Sequence, residues 1–271
     1  MAGGKVQFGV FDDLIAYARW GSGARTMVVF PGGPGNSIPR GLGFSLMASG
    51  FSAFTDAFTI YMVTRRRNLP EGYTTRDMSD DYARVIADHL GGQVDAVVGQ
   101  SFGGMIAQHF AADHPNLCQR VVIAGAGHPL SDVGRDIDFR FGEHLSRGRY
   151  RRAAATIVEV LAPPGFARVL LRSLAWLLGP GMYKDEHSSF GSDVMVEVQA
   201  ELSHDPTGAL ERIGIPVLFV GGTKDVYFPR ESLEATAARI PTAVLKLYEG
   251  KGHMGSLGGR RFAADLREFL G

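Results

Sequence analysis

Three residue types that together can cleave an acyl bond occur in the order serine, aspartate, histidine along the 271-residue chain. The serine is Ser101, in "GQSFG". A lone hydroxyl is a weak nucleophile and needs a base to take its proton. Of eight histidines, His253 in "YEGKGHMGS" is the best placed. It follows the last predicted strand in a glycine-rich loop, where parallel sheets carry their chemistry. An imidazole base needs an acid to fix its tautomer. Asp225 in "VLFVGGTKDVYFP" follows another predicted strand and supplies one, with Asp132 as the alternative. A developing oxyanion needs N–H donors. The loop "PGGPG" offers Gly33, and the residue after the nucleophile, Phe102, offers the second.

The elements around these residues must hold them at one end of a sheet. "DAVVG" reads as a buried strand and "FGGMIAQHFAADHP" as the helix that follows. A strand that turns sharply into a helix strains its corner residue and leaves no room for side chains two positions either side. "TMVVF", "FTIYMVTR", "RVVIAGAG", "PVLFVGG" and "AVLKLYEG" read as further strands, separated by helical patterns, with "KVQFGVF" and "LIAYARWG" pairing about a turn at Asp12 and Asp13. Such alternation predicts a parallel sheet covered by helices on both faces. "MSDDYARVIADHL" predicts a helix with Ser79 as its cap. Between Pro129 and Asp205 the alternation stops and only helical patterns remain, so residues 129–205 read as an insertion into a core of 1–128 and 206–271.

Composition narrows the function. Hydrophobic residues make up 45%, enough for a large core, and 28 basic residues balance 28 acidic ones, which excludes a charge-driven nucleic-acid partner. The single cysteine, Cys118, permits no intrachain disulfide. No apolar run is long enough for a membrane span, and the N-terminus lacks a signal-peptide pattern, so a cytoplasmic location is expected. The run Arg65, Arg66 and Arg67 reads as a solvated turn paired with Asp77, Asp80 or Asp81, or as an anion contact. In the insertion, "FARVLLRSLAWLLGPGMY" carries Leu170, Leu174, Trp176 and Leu177 at helical spacing. They are expected to pack the insertion onto the core, with Trp176 lining an acyl pocket. The charged stretch "RGRYRR" argues against an open lipid-binding face.

Taken together, "GQSFG", Asp225, His253 and the "PGGPG" loop resemble the α/β-hydrolase superfamily over nearly the whole chain. The resemblance implies an eight-stranded, mostly parallel sheet flanked by helices, with a helical cap inserted after strand six. It implies the nucleophile after strand five, the acid after strand seven and the histidine after strand eight. A serine nucleophile speaks against the dehalogenases and epoxide hydrolases of the superfamily, which use aspartate. "PGGPG" is similar to the "HGGPG" of proline iminopeptidases, with Pro31 in place of the usual histidine. Those enzymes follow strand four with an Asp-x-Arg-Gly segment, where this chain has "VTRRRNLPEGYTT". The expected activity is hydrolysis of a small-molecule carboxylic ester or lactone through an acyl-enzyme, without metal or organic cofactor. Amide, peptide or carbon–carbon bond hydrolysis, acyl transfer to an alcohol or peroxide, and non-catalytic ligand binding are the alternatives.

Overall fold

In a computed structural model, residues 6–161, 165–183 and 187–271 are described. The chain opens with β1 (Gln7–Phe11), β2 (Ile15–Gly21) and β3 (Arg25–Phe30). Asp12 and Asp13 both adopt positive φ, at 50° and 58°, which closes the tight β1–β2 hairpin. Then come α1 (Leu42–Ser49), β4 (Phe58–Arg66), α2 (Thr75–His89), β5 (Val94–Gln100), α3 (Phe102–Asp113) and β6 (Cys118–Ala124). Four helices follow β6: α4 (Asp132–Ser146), α5 (Tyr150–Leu161), α6 (Phe166–Tyr183) and α7 (Phe190–Leu202). The chain ends with β7 (Val217–Gly222), α8 (Arg230–Ala238), β8 (Ala243–Tyr248), α9 (His253–Ser256) and α10 (Gly259–Leu270).

The eight strands form one sheet in the order β1-β2-β4-β3-β5-β6-β7-β8. β2 runs antiparallel to its neighbours β1 and β4, and every other pair is parallel. The parallel strands are apolar on both faces because helices cover both. In β3, Val28 and Phe30 pack on one side with Tyr82, Ile86, Met105 and Phe110 of α2 and α3. Met27 and Val29 pack on the other with Phe44, Phe262 and Leu266 of α1 and α10. From β3 the chain steps one way to β4 and then crosses back to β5 on the other side. That reversal opens a crevice at the carboxyl ends of β3 and β5, where ligands of open α/β sheets bind.

The helical insert has its own small core, in which Phe141, Leu145, Ala153, Phe190 and Val194 are buried together. α2 begins a turn earlier than the sequence predicts. Thr74 caps it in a reciprocal capping box with Asp77, and Ser79 lies inside the helix, bonded to the Arg76 carbonyl. The hydroxyl at position 74 and the carboxylate three residues on satisfy two free N–H groups, which a serine further along cannot do.

Candidate active site

The nucleophile candidate owes its position to backbone crowding. β5 ends at Gln100 and α3 begins at Phe102, so Ser101 alone makes the turn. Its φ is 52° and its ψ −122°, a strained backbone for a residue with a Cβ. Its N–H donates to the Ala124 carbonyl at 2.8 Å, and its carbonyl accepts from Gly104 and Met105 at 2.7 and 3.1 Å, which pins the turn from both sides. The flanking glycines are sterically required. A Cβ on Gly99 would lie 2.5 Å from the Gly103 carbonyl oxygen, and one on Gly103 would lie 2.0 Å from the Phe30 carbonyl oxygen.

His253 arrives from the last parallel strand. It opens the one-turn helix α9 and is not in an open loop as its glycine-rich surroundings suggest. Its side chain is buried, with the Tyr227 and Phe228 rings tilted against the imidazole at 4.7 and 6.1 Å. Nε2 lies 2.8 Å from Ser101 Oγ, and Nδ1 lies 2.8 Å from Asp225 Oδ2. An ionised carboxylate only accepts, so Nδ1 carries the proton and Nε2 is left free to accept one from the serine. A second tie joins the two loops, where Gln100 Nε2 donates to the Leu257 carbonyl at 2.7 Å.

Asp225 is fixed by its own turn. Its Oδ1 accepts the N–H groups of Tyr227 and Phe228 at 2.8 and 3.2 Å, and its Oδ2 faces the imidazole. One carboxylate therefore shapes the local turn and orients the imidazole. Asp132 sits elsewhere, exposed in the first turn of α4 behind the Ser131 cap.

Gly33 adopts a φ of 70°, and a Cβ there would meet no atom within 4 Å. Its loop is held by a residue that sequence reading places in solvent. Arg65 is fully buried and donates to the carbonyls of Pro31 at 2.8 Å, Gly33 at 2.6 Å and Gly35 at 2.8 Å. Glu197 on α7 completes the set, pairing with Arg65 Nε at 3.1 Å and accepting the Gly35 N–H. One turn earlier on the same helix, Asp193 accepts from Asn36 Nδ2 at 2.8 Å and from the Leu69 N–H at 2.8 Å. The helical insert thus reaches down and clamps the Gly33 loop. Arg66 behaves as the sequence suggests, with Asp81 at 4.0 Å. Breaking a buried ion pair strands the remaining charge at a cost of about 3–5 kcal/mol. Glu197→Ala should therefore lower stability by that order in denaturant titration, and Glu197→Ala with Arg65→Met should recover part of it.

Two more carboxyls influence each other in a buried site, and the one on α4 lies near His253. Asp138 of α4 and Glu201 of α7 are buried, and each has one oxygen without a hydrogen-bond partner among the described residues. Burial pushes the Asp138 carboxyl up to about 7, although the Tyr227 hydroxyl and the nearby His253 pull the other way. Burial, reinforced by Asp138, also holds Glu201 well above the usual carboxylate range. Free carboxyls titrate near 4. The folded state therefore keeps a proton that the unfolded chain gives up between about pH 4 and 7, and stability falls as pH rises through that window. Asp138→Asn should flatten this fall, raising the melting temperature at pH 8 more than at pH 5.

Trp176, on α6, is 49% exposed, with Arg151 over its ring at 4.5 Å. α6 packs on α5, and α5 in turn packs on α9. Leu170, Leu174 and Leu177 are likewise exposed, so the apolar spacing of α6 does not mark a face turned to the core.

The comparisons agree with this architecture. The dihydrolipoyllysine-residue acetyltransferase component of the acetoin cleaving system from Cupriavidus necator is 28% identical over 279 residues, spanning 100% of this chain and 70% of that protein. A hydrolase structure from Pseudomonas aeruginosa superposes with a TM-score of 0.75 at 20% identity, covering 99% of both chains. The esterase RhEst1 from a Rhodococcus species superposes with a TM-score of 0.70 at 18% identity, covering 98% of both. Among the described residues no helix is long and apolar enough to cross a membrane. The model of the Alpha/beta hydrolase family matches residues 27–265, and the chain belongs to that family.

Proposed function

We propose that the protein is a serine hydrolase that cleaves a small to medium carboxylic ester or lactone through an acyl-enzyme. The observation that carries this reading is the unbroken chain from Ser101 Oγ to His253 Nε2 and from His253 Nδ1 to Asp225 Oδ2, with 2.8 Å at each link. Ser101 Oγ attacks the substrate carbonyl as His253 Nε2 takes its proton. The oxygen becomes anionic and is held by the N–H groups of Gly33 and Phe102, the latter opening α3 where no intrahelical acceptor exists. Asp225 stabilises the imidazolium and does not itself take the proton. The intermediate collapses, the carbon–oxygen bond of the leaving group breaks, and His253 protonates the departing alkoxide. Water, activated by the same imidazole, then attacks the serine ester and frees Ser101 and the acid. For a lactone the leaving group stays tethered and the product is one hydroxy acid.

The esterase name of the Rhodococcus neighbour supports an ester substrate. The acetyltransferase name of the Cupriavidus relative supports a second reading, in which an alcohol or thiol replaces water as acyl acceptor. A panel of aryl and alkyl esters, lactones and amides of matched acyl groups tests the proposal, each run with and without added alcohol. Faster turnover of esters or lactones than of amides, with free acid as product, is expected. Amides turning over faster, or ester product dominating when alcohol is added, would overturn it in favour of amide hydrolysis or acyl transfer.

A further inference from the structure

α6 exposes large apolar side chains that neither the core nor the triad accounts for. Phe166 is 85% exposed, and Val169, Leu170, Leu174, Leu177 and Leu178 are each more than half exposed. At about 100° per residue these side chains, with Trp176 at one edge and Leu171 at the other, cover an arc of roughly 220°. The rest of the circumference includes Arg168, Arg172, Ala175, Gly179 and Tyr183. That side faces α5: Arg168 donates to the Glu159 carbonyl at 3.3 Å, Arg172 pairs with Glu159 at 3.4 Å, and a Cβ on Gly179 would lie 2.5 Å from the Tyr150 carbonyl oxygen. So α6 is a ridge bound to the protein by its narrow side.

The chemistry beside the ridge is cationic. The turn between α4 and α5 and the first turn of α5 carry four arginines, at 147, 149, 151 and 152. Arg147 pairs with Glu143 at 2.8 Å. Arg151 lies over the Trp176 ring and donates to the Trp176 carbonyl at 3.4 Å, which fixes the turn against one edge of the apolar arc. Arg149 and Arg152 are exposed and make no ion pair among the described residues. An apolar helical face edged by tryptophan, with unpaired arginines in the adjoining turn and helix start, is the pattern of a helix lying in the interface of an anionic bilayer.

We infer that α6, with Arg149 and Arg152 beside it, docks the protein peripherally on an anionic phospholipid surface. The width of the arc favours a bilayer over a second copy of the chain. A helix partner takes a stripe little wider than about 100°, whereas headgroups and acyl chains close around half a helix or more. The arginines that speak against a neutral lipid face suit this one. The inference is independent of the proposed reaction and is read without substrate.

Vesicle flotation of the full chain tests it, comparing phosphatidylcholine vesicles with vesicles containing phosphatidylglycerol. Binding is expected only to the anionic vesicles and should weaken as salt rises. Arg149→Gln with Arg152→Gln should weaken it by about 30-fold. Leu170→Glu with Leu174→Glu should abolish it. All four side chains are exposed, so the fold should persist, and circular dichroism checks that it does. The chain has two tryptophans, and Trp20 is buried. A blue shift of emission on adding anionic vesicles therefore reports Trp176 and should vanish in Trp176→Phe. No flotation with anionic vesicles, or equal flotation with neutral ones, would overturn the inference. So would a doubled mass in lipid-free light scattering that Leu170→Glu with Leu174→Glu returns to the monomer, since the occupant would then be a second copy.

Discussion

Ser101→Ala should remove turnover almost entirely, by roughly a million-fold for a serine acting with its histidine as a unit. The expected loss is large because the two groups do one job. With no hydroxyl the imidazole has no proton to accept, and with no covalent intermediate the reaction must proceed by direct attack of water. The residual rate should come from binding and from whatever the Gly33 and Phe102 N–H groups do for the oxyanion. Folding should be nearly untouched or slightly improved, since a smaller side chain changes little at a backbone already held at φ 52°. Steady-state kinetics on the best ester of the panel, with a thermal melt beside it, measure both. A drop of only ten-fold would mean that another group performs the attack.

The second large effect is at the acid. Asp225→Asn keeps the shape of the side chain but presents an amide to His253 Nδ1. The amide can donate to that nitrogen and stabilise the tautomer whose proton sits on Nε2, facing Ser101 with nothing to accept the serine's proton. Turnover should fall by about ten thousand-fold. The turn itself should survive, because the Asn oxygen can still accept the Tyr227 and Phe228 N–H groups. The expected signature is a collapse of kcat with KM changed little. Asp132→Asn, in the exposed first turn of α4, should leave turnover within two-fold of the parent.

Much of this is written locally in the chain. The glycines of "GQSFG" announce a corner because the backbone there has no room for a Cβ, and steric exclusion acts within a few residues. The positions of Asp225 and His253 after consecutive strands follow from the alternation of strand and helix. What escapes a local reading are partnerships across the fold. Arg65 looks like part of a solvated basic turn because its nearest acids in sequence are Asp77, Asp80 and Asp81. Its partner is Glu197, 132 residues away on a helix of the insert. Nothing in the local pattern around either residue marks the pair. A signal was present, though: Asp193, Glu197 and Glu201 are spaced four apart, so one face of α7 carries three acids in a row. Such a stripe in an otherwise apolar helix asks for buried cationic and N–H partners. α6 misleads in the opposite way. Its apolar periodicity predicts burial, and hydrophobic spacing cannot say whether the surface it meets belongs to the same molecule.

The most direct test of the account is covalent. A fluorophosphonate should react with one equivalent of folded protein, and intact mass should rise by a single phosphonyl adduct. Fragmentation should place that adduct on Ser101. Labelling should be abolished in Ser101→Ala and strongly slowed in Asp225→Asn, because the serine is activated through the imidazole. An adduct at another serine, or labelling that persists in Ser101→Ala, would contradict the assignment of Ser101 as the nucleophile.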